Sequence, residues 1–309
     1  MKIAVLGATS HIAKNLIRLW LADPGVDLHL FARNPVAVDG FVTQLGYSGI
    51  RPAFTFADFG QTEYAAVINC VGFGNPASLR DAGYSLFTVT EYYDSMILAY
   101  LENNPDCVYV NMSSGAVYRG AFSAPVDDST AASFLVNNLQ PADRYALAKL
   151  YSEIKHRAAS GLSIIDLRVF SFFSRHIDPA AGFLLSDIVR CVRDRSVFVT
   201  GQGDLVRDYI HPEDLFCLVN ACIASGPGTN CAIDAYSREP VSKSDLLEYY
   251  RAEWDLKVEF RDGNTGVDAS GKKDLYCSQF RKARDLFGYQ PGYSSLETVA
   301  SETRVIFNQ

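Results

Sequence analysis

The sequence is poor in the groups that a metalloprotein, a disulfide scaffold or a nucleic-acid binder would need. Its seven cysteines are dispersed and include no Cys-x-x-Cys pair. That pattern reads as reduced thiols and predicts a cytoplasmic protein without a disulfide frame. There are five histidines, none paired at metal-ligand spacing, so no metal site is expected. No run of Lys or Arg offsets a formal net charge of −7, which argues against a nucleic-acid partner. An anionic small substrate would need its own local cations. No window approaches the roughly 20 apolar residues of a membrane span. The apolar run at residues 3–8 is too short for a signal-peptide core. No membrane partner is expected.

What is present is alternation. The 309 residues are 48% hydrophobic, enough to bury a substantial core. Short β-branched runs, "KIAVL", "DLHLF", "AFTF", "AAVINCV", "CVYVNMS" and "SIIDLRVF", alternate with helical patterns such as "HIAKNLIRLWLA" and "SLFTVTEYYDSMILAYLEN". Apolar runs buried on both faces and joined by helices predict an α/β chain with a doubly wound, Rossmann-type parallel sheet. Residues 1–170 are expected to form a dinucleotide-binding domain. After about residue 170 the regularity weakens. Residues 171–309 are expected to form mainly a smaller C-terminal lobe, with some segments returning to the first domain.

The stretch "LGATSHIAKNL" follows the first strand. A strand, a glycine and a helix N-terminus together make an anion site. Gly7 suits the tight turn, and Ala13 is small enough for close helix–strand packing. Ser10 stands where a glycine usually lets the backbone approach phosphate, so its side chain is expected to point outward, where its hydroxyl could bond a phosphate. Thr9, Ser10, His11 and Ile12 are the neighbouring cofactor candidates. His11 either lies near the phosphates or faces solvent. At the end of the second strand, "LFARNP" puts Arg33 where NAD binders commonly carry an acid. A guanidinium pairs with a 2′-phosphate that a carboxylate would repel. This points to NADP, with NAD possible; otherwise Arg33 is a solvated loop residue. Asp58, after the third strand, either holds the adenine edge or serves its own loop.

"YALAK" places Tyr145 and Lys149 one turn apart on the same face of a predicted helix that it opens. A free Tyr has a pKa near about 10, and a neighbouring cation lowers it toward useful acid/base exchange. "NMSSGAVY" puts Ser114 at a strand's carboxyl end, where ligands bind in open parallel sheets.

Taken together, "GATSHIA", "SSGAVY", "PVDDS", "YALAK", "LRVFSFFS" and "VRDYIHPEDL" resemble the extended short-chain dehydrogenase/reductases, in the group of nucleotide-sugar epimerases, dehydratases and ketoreductases. The resemblance runs through most of the chain. It implies that Tyr145 is the general acid/base, Lys149 binds the nicotinamide ribose and Ser114 orients the sugar oxygen. It implies a substrate-binding C-terminal lobe in which Arg207 contacts a substrate diphosphate, with Lys272 or Lys273 near a second phosphate contact. It also implies a homodimer built from two helices of each copy. Three positions depart from the family pattern. Gly115 and Ala116 replace the Asp-Glu pair that dehydratases use for water elimination, which sets 4,6-dehydration aside. Ser171 replaces an Asn at the substrate diphosphate. "NCVGFGNP" replaces an alanine-rich loop, where Asn69, Gly72 and Gly74 are expected to approach the cofactor by their backbones. The resulting expectation is an NADP(H)-dependent reductase of a 4-keto-6-deoxy nucleotide sugar. The alternatives are an NAD-dependent C4 epimerase and a non-catalytic NADP-binding regulator.

Overall fold

The β-branched runs assemble into one seven-stranded sheet. The structure is a computed structural model that describes residues 1–47, 52–73, 75–120, 122–261 and 274–308. Its main strands are β1 (Lys2–Leu6), β2 (Asp27–Phe31), β3 (Ala53–Phe54), β4 (Ala66–Asn69), β5 (Val108–Ser114), β6 (Ile164–Val169) and β7 (Asn230–Ala235). They lie in the order β3-β2-β1-β4-β5-β6-β7, and every pairing is parallel. All residues of β4 and β5 are buried, as a strand covered on both faces requires. The winding reverses between β1 and β4, so the crevice at their carboxyl ends is the switch point where such sheets take ligands.

The described helices are α1 (His11–Trp20), α2 (Pro35–Gln44), α3 (Pro76–Asp81), α4 (Ser85–Asn103), α5 (Pro141–Ala158), α6 (Leu184–Asp194), α7 (Pro212–Ala224), α8 (Lys243–Trp254), α9 (Lys282–Phe287) and α10 (Ser295–Phe307). Two of the starts that matter for the site have a local cause. Asn34 caps α2 ahead of Pro35. Pro141 opens α5, and Asp143 reaches back to the Gln140 N–H at 2.7 Å. The "YALAK" segment therefore lies in the second turn of its helix and does not open it.

One core joins β1, β4, β5, β6 and β7 to α1 and α7, through Leu16, Ile17, Trp20, Leu215 and Val219. A second core gathers Phe173, Leu185, Ile188, Leu246, Tyr250 and Val299 from the later part of the chain. Short ladders surround it, pairing Val206–Arg207 with Val241–Ser242 and with Leu275–Tyr276, and Ser171–Phe172 with Tyr209–Ile210. These ladders bring segments far apart in sequence to the carboxyl end of β5 and β6.

Candidate active site

The turn after β1 is built on a close approach. Gly7 has φ +75°, and a Cβ there would lie 2.7 Å from the Cys70 carbonyl and from Val71 N. Only glycine fits both constraints. The N–H groups of Gly7 and Ala8 both donate to Phe31 O, at 2.9 and 3.1 Å. Ser10 differs from the outward orientation its position suggested. Its Oγ accepts from Ala13 N–H at 3.3 Å and caps α1, because the first turn of a helix has backbone donors to satisfy. Thr9 is exposed, and Ile12 packs against the main core. His11 is half-buried at the start of α1. Its Nε2 lies 2.7 Å from Ser174 Oγ and its ring sits edge-on to Phe172. Burial, with smaller contributions from His176 and Lys14, pushes its pKa down to about 4. With no anionic ligand beside it, the imidazole is therefore neutral near pH 7.

Arg33 is exposed at the carboxyl end of β2 and makes no hydrogen bond or ion pair with the described residues. It lies close enough to Tyr93 for its charge to offset part of the rise that burial imposes on that phenol. Tyr93 in turn packs on Phe56, with ring centroids 4.4 Å apart. Asp58 accepts from Thr55 N–H at 3.0 Å and Thr55 Oγ1–H at 2.7 Å, both through Oδ2, and so closes its own turn. The Asn69 side chain points into the protein, with Oδ1 accepting from Val71 N–H at 3.0 Å. Gly72 is exposed with open space around it. Gly74 lies outside the described residues.

The reactive set sits on β5 and α5. Lys149 is buried, and its Nζ donates to Met112 O at 2.7 Å. Tyr145 stands one turn earlier on the same face and is half-buried. Ser114 ends β5. Its Oγ accepts from Ala116 N–H at 3.2 Å and lies 3.2 Å from the Tyr276 hydroxyl. The next residue along the α5 face, Glu153, accepts from Ser113 Oγ–H at 2.6 Å and pairs with Arg168 at 2.6 Å. Consecutive residues of β5 are thus tied to successive turns of α5, which fixes Ser114 relative to Tyr145 and Lys149. Gly115 is a packing requirement, since a Cβ would lie 2.6 Å from the Phe170 ring.

The later ladders supply the far wall. Arg207 is half-buried, and its guanidinium lies 5.8 Å from the Tyr276 ring centroid. Tyr276 therefore bridges Ser114 and Arg207. Sequence reasoning missed it, because no motif marks it and its place depends on pairing with Val206–Arg207. Ser171 is half-buried, and its N–H donates to Asp208 O at 3.1 Å. His211 anchors its own loop. Its Nδ1 accepts from Glu213 N–H, and its ring stacks on Tyr293 at 3.7 Å. Lys272 and Lys273 lie outside the described residues. Among the described residues, no group of His, Cys, Asp and Glu could hold a metal ion, and no helix is long and apolar enough to cross a membrane.

These residues fit a nicotinamide dinucleotide. The Gly7 turn is bare of side chain at the switch point, a helix begins just beyond it, and a Tyr–Lys pair stands at the carboxyl end of β5. Residues 3–228 match the NAD dependent epimerase/dehydratase family. The UDP-glucose 4-epimerase of Streptococcus mutans serotype c is 23% identical over 335 aligned positions, covering 97% of this chain and 94% of that protein. Among solved structures, the UDP-glucuronic acid 4-epimerase of Bacillus cereus, bound to UDP-glucuronic acid and NAD, superposes with a TM-score of 0.79. It is 16% identical and covers 100% of this chain and 99% of its own. The dTDP-glucose 4,6-dehydratase of Bacillus anthracis, in complex with NAD, gives 0.78 at 14% identity, covering 100% of this chain and 96% of its own. The switch-point turn, the Tyr–Lys pair beside Ser114 and the match over most of the length agree, and the chain belongs to the NAD dependent epimerase/dehydratase family.

Proposed function

We propose that this protein exchanges a hydride and a proton at C4 of a nucleotide-linked sugar, and that it works as an NADP(H)-dependent reductase of a 4-keto-6-deoxy sugar. The observation that carries the cofactor choice is Arg33, exposed and unpaired among the described residues at the end of β2. A bound nicotinamide dinucleotide supplies the hydride. Tyr145 gives its phenolic proton to the forming alkoxide, so full negative charge does not develop on oxygen. Lys149, held by Met112 O, favours the phenolate that remains and would bind the ribose of the dinucleotide. Ser114 orients the sugar oxygen, with Tyr276 beside it. Arg207 holds the diphosphate, so that a bimolecular transfer becomes effectively unimolecular. Ser171 belongs to the same subsite. Gly115 and Ala116 carry no group able to move the protons of a dehydration.

A second reading, C4 epimerisation with retained NAD, is favoured by the activities named for the relatives, two of the three compared being UDP-sugar 4-epimerases. One experiment separates them. A 4-keto-6-deoxy nucleotide sugar is supplied with NADPH, and absorbance is followed at the reduced nicotinamide band. One NADPH lost per alcohol formed is expected. Interconversion of two hydroxyl epimers without net cofactor loss would establish the epimerase. We further infer a homodimer and a cytoplasmic setting, the latter from seven dispersed cysteines with no Cys-x-x-Cys pair.

A further inference from the structure

Beneath the loop that follows β4 lies a closed circuit of buried polar side chains. Asn69 Nδ2 donates to the Tyr109 hydroxyl at 2.9 Å, and Tyr109 donates to Asp94 Oδ1 at 2.8 Å. Asp94 Oδ1 is 2.8 Å from His156 Nε2, whose Nδ1 is 2.8 Å from Asp166 Oδ1. Asn111 Nδ2 donates to the same Asp166 oxygen at 2.7 Å, and Asn69 Nδ2 returns the circuit to Asn111 Oδ1 at 3.4 Å. Every member is at most 5% exposed. The circuit draws on β4, β5, β6, α4 and α5.

Its geometry decides one thing. Both hydrogens of the Asn69 amide are committed inside the circuit, so the amide cannot flip, and Oδ1 is left to accept from Val71 N–H. Val71 N is also one of the three backbone atoms that a Cβ on Gly7 would strike. We propose that Asn69 is a positioning residue for the dinucleotide: the circuit fixes its amide, and the amide holds the Val71 backbone against the Gly7 turn. This rests on the reading that the turn takes a dinucleotide. Apolar side chains would fill the same space at lower desolvation cost. A fully satisfied polar network instead selects one geometry, and here that geometry ends on the cofactor crevice.

The test uses the full chain, titrated with NADH and NADPH, and amide hydrogen exchange at Val71 without ligand. The variants are Asn69→Ala and Tyr109→Phe, with Val219→Ala as a remote core control of comparable thermal destabilisation. Asn69→Ala is expected to weaken the preferred dinucleotide about tenfold, as for a lost buried hydrogen bond, and to speed Val71 exchange. Tyr109→Phe removes one hydroxyl that does not touch Val71. It is expected to move both readouts in the same direction by a smaller factor, while Val219→Ala moves neither. The proposal is overturned if Asn69→Ala leaves both readouts within twofold of wild type, or if Val219→Ala lowers affinity as much at equal loss of Tm. Unchanged readouts in Tyr109→Phe would remove the circuit from the proposal. A wild type that binds neither dinucleotide would end the functional reading itself, and Val71 exchange would still show whether Asn69 holds that backbone.

Discussion

At the scale of single residues, the chain shows which side chains are free for a ligand and which are occupied by the fold. Ser10, His11 and Asp58 stand where a cofactor contact was expected, and each side chain has an internal partner; so does that of Asn69, which was expected to approach by its backbone. Arg33 has none among the described residues. An exposed guanidinium pays little desolvation to bind a phosphate and gains a charge-assisted, bidentate contact. Arg33→Ala is therefore expected to weaken NADPH by about 1.5–3 kcal/mol and to leave NADH nearly unchanged. Paired titrations of wild type and variant check this. Equal affinities of the wild type for NADH and NADPH would remove Arg33 from cofactor choice. Gly7 was legible in the sequence because part of its requirement is local, a positive φ in a strand-to-helix turn, although the approach of Cys70 and Val71 was not. Tyr276 was not, because its value comes from a ladder between segments about seventy positions apart.

At the scale of elements, strands and helices with strong periodicity could be read directly. The runs "KIAVL" and "CVYVNMS" became β1 and β5, and "SLFTVTEYYDSMILAYLEN" became α4 with the same limits. The edge strand β7, "NCAIDA", was missed. It has a single β-branched residue, and its buried Asp234 is accommodated by Tyr118, Ser278 and Arg168 from elsewhere. Helices α4 and α5 are locked side by side by Lys155, which reaches Glu91 at 2.8 Å and Asp94 at 2.7 Å. Their outer faces carry Phe87, Tyr92, Tyr151 and Ile154 exposed, with Tyr84 at the head of α4. So many large apolar groups on one helix pair call for a cover, and a second copy would supply the same pair by two-fold symmetry. Burying Ile154 is worth about 1.5–3 kcal/mol, counted twice in a symmetric interface. Ile154→Glu is expected to turn a dimer into a monomer at micromolar concentration without loss of helix content. Sedimentation velocity decides it, and a monomeric wild type would exclude the interface.

At the scale of the whole molecule, buried titratable groups set how stability responds to pH. Burial alone would lower the His156 imidazole, but hydrogen bonds and charges from Asp166 and Asp94 outweigh it and hold its pKa up at about 9. A group raised above its unfolded value binds its proton more tightly in the fold. Its stabilisation is complete below the unfolded pKa near about 6.5 and is lost as pH rises toward 9. The steepest slope is about 1.4 kcal/mol per pH unit for one proton. Above that range burial keeps Cys70 and Cys107 protonated, each pushed up to about 12, so the decline continues as the unfolded chain ionises. The acid side behaves differently. His11 and His176, lowered by burial to about 4, cost stability as pH falls below the unfolded histidine value. Asp208 and Asp234, raised by burial to about 6, recover stability as pH falls below 6. These opposed groups leave a shallow acid limb and a steeper alkaline one. Urea midpoints measured from pH 4.5 to 9.5 are expected to be highest near pH 6 and to fall through pH 8.5. In His156→Gln the fall between pH 6.5 and 8.5 is expected to vanish, because the proton that linked it is gone. A wild-type midpoint flat across that interval would mean that His156 is neutral in the fold, and only the buried cysteines would remain to bend the curve at higher pH.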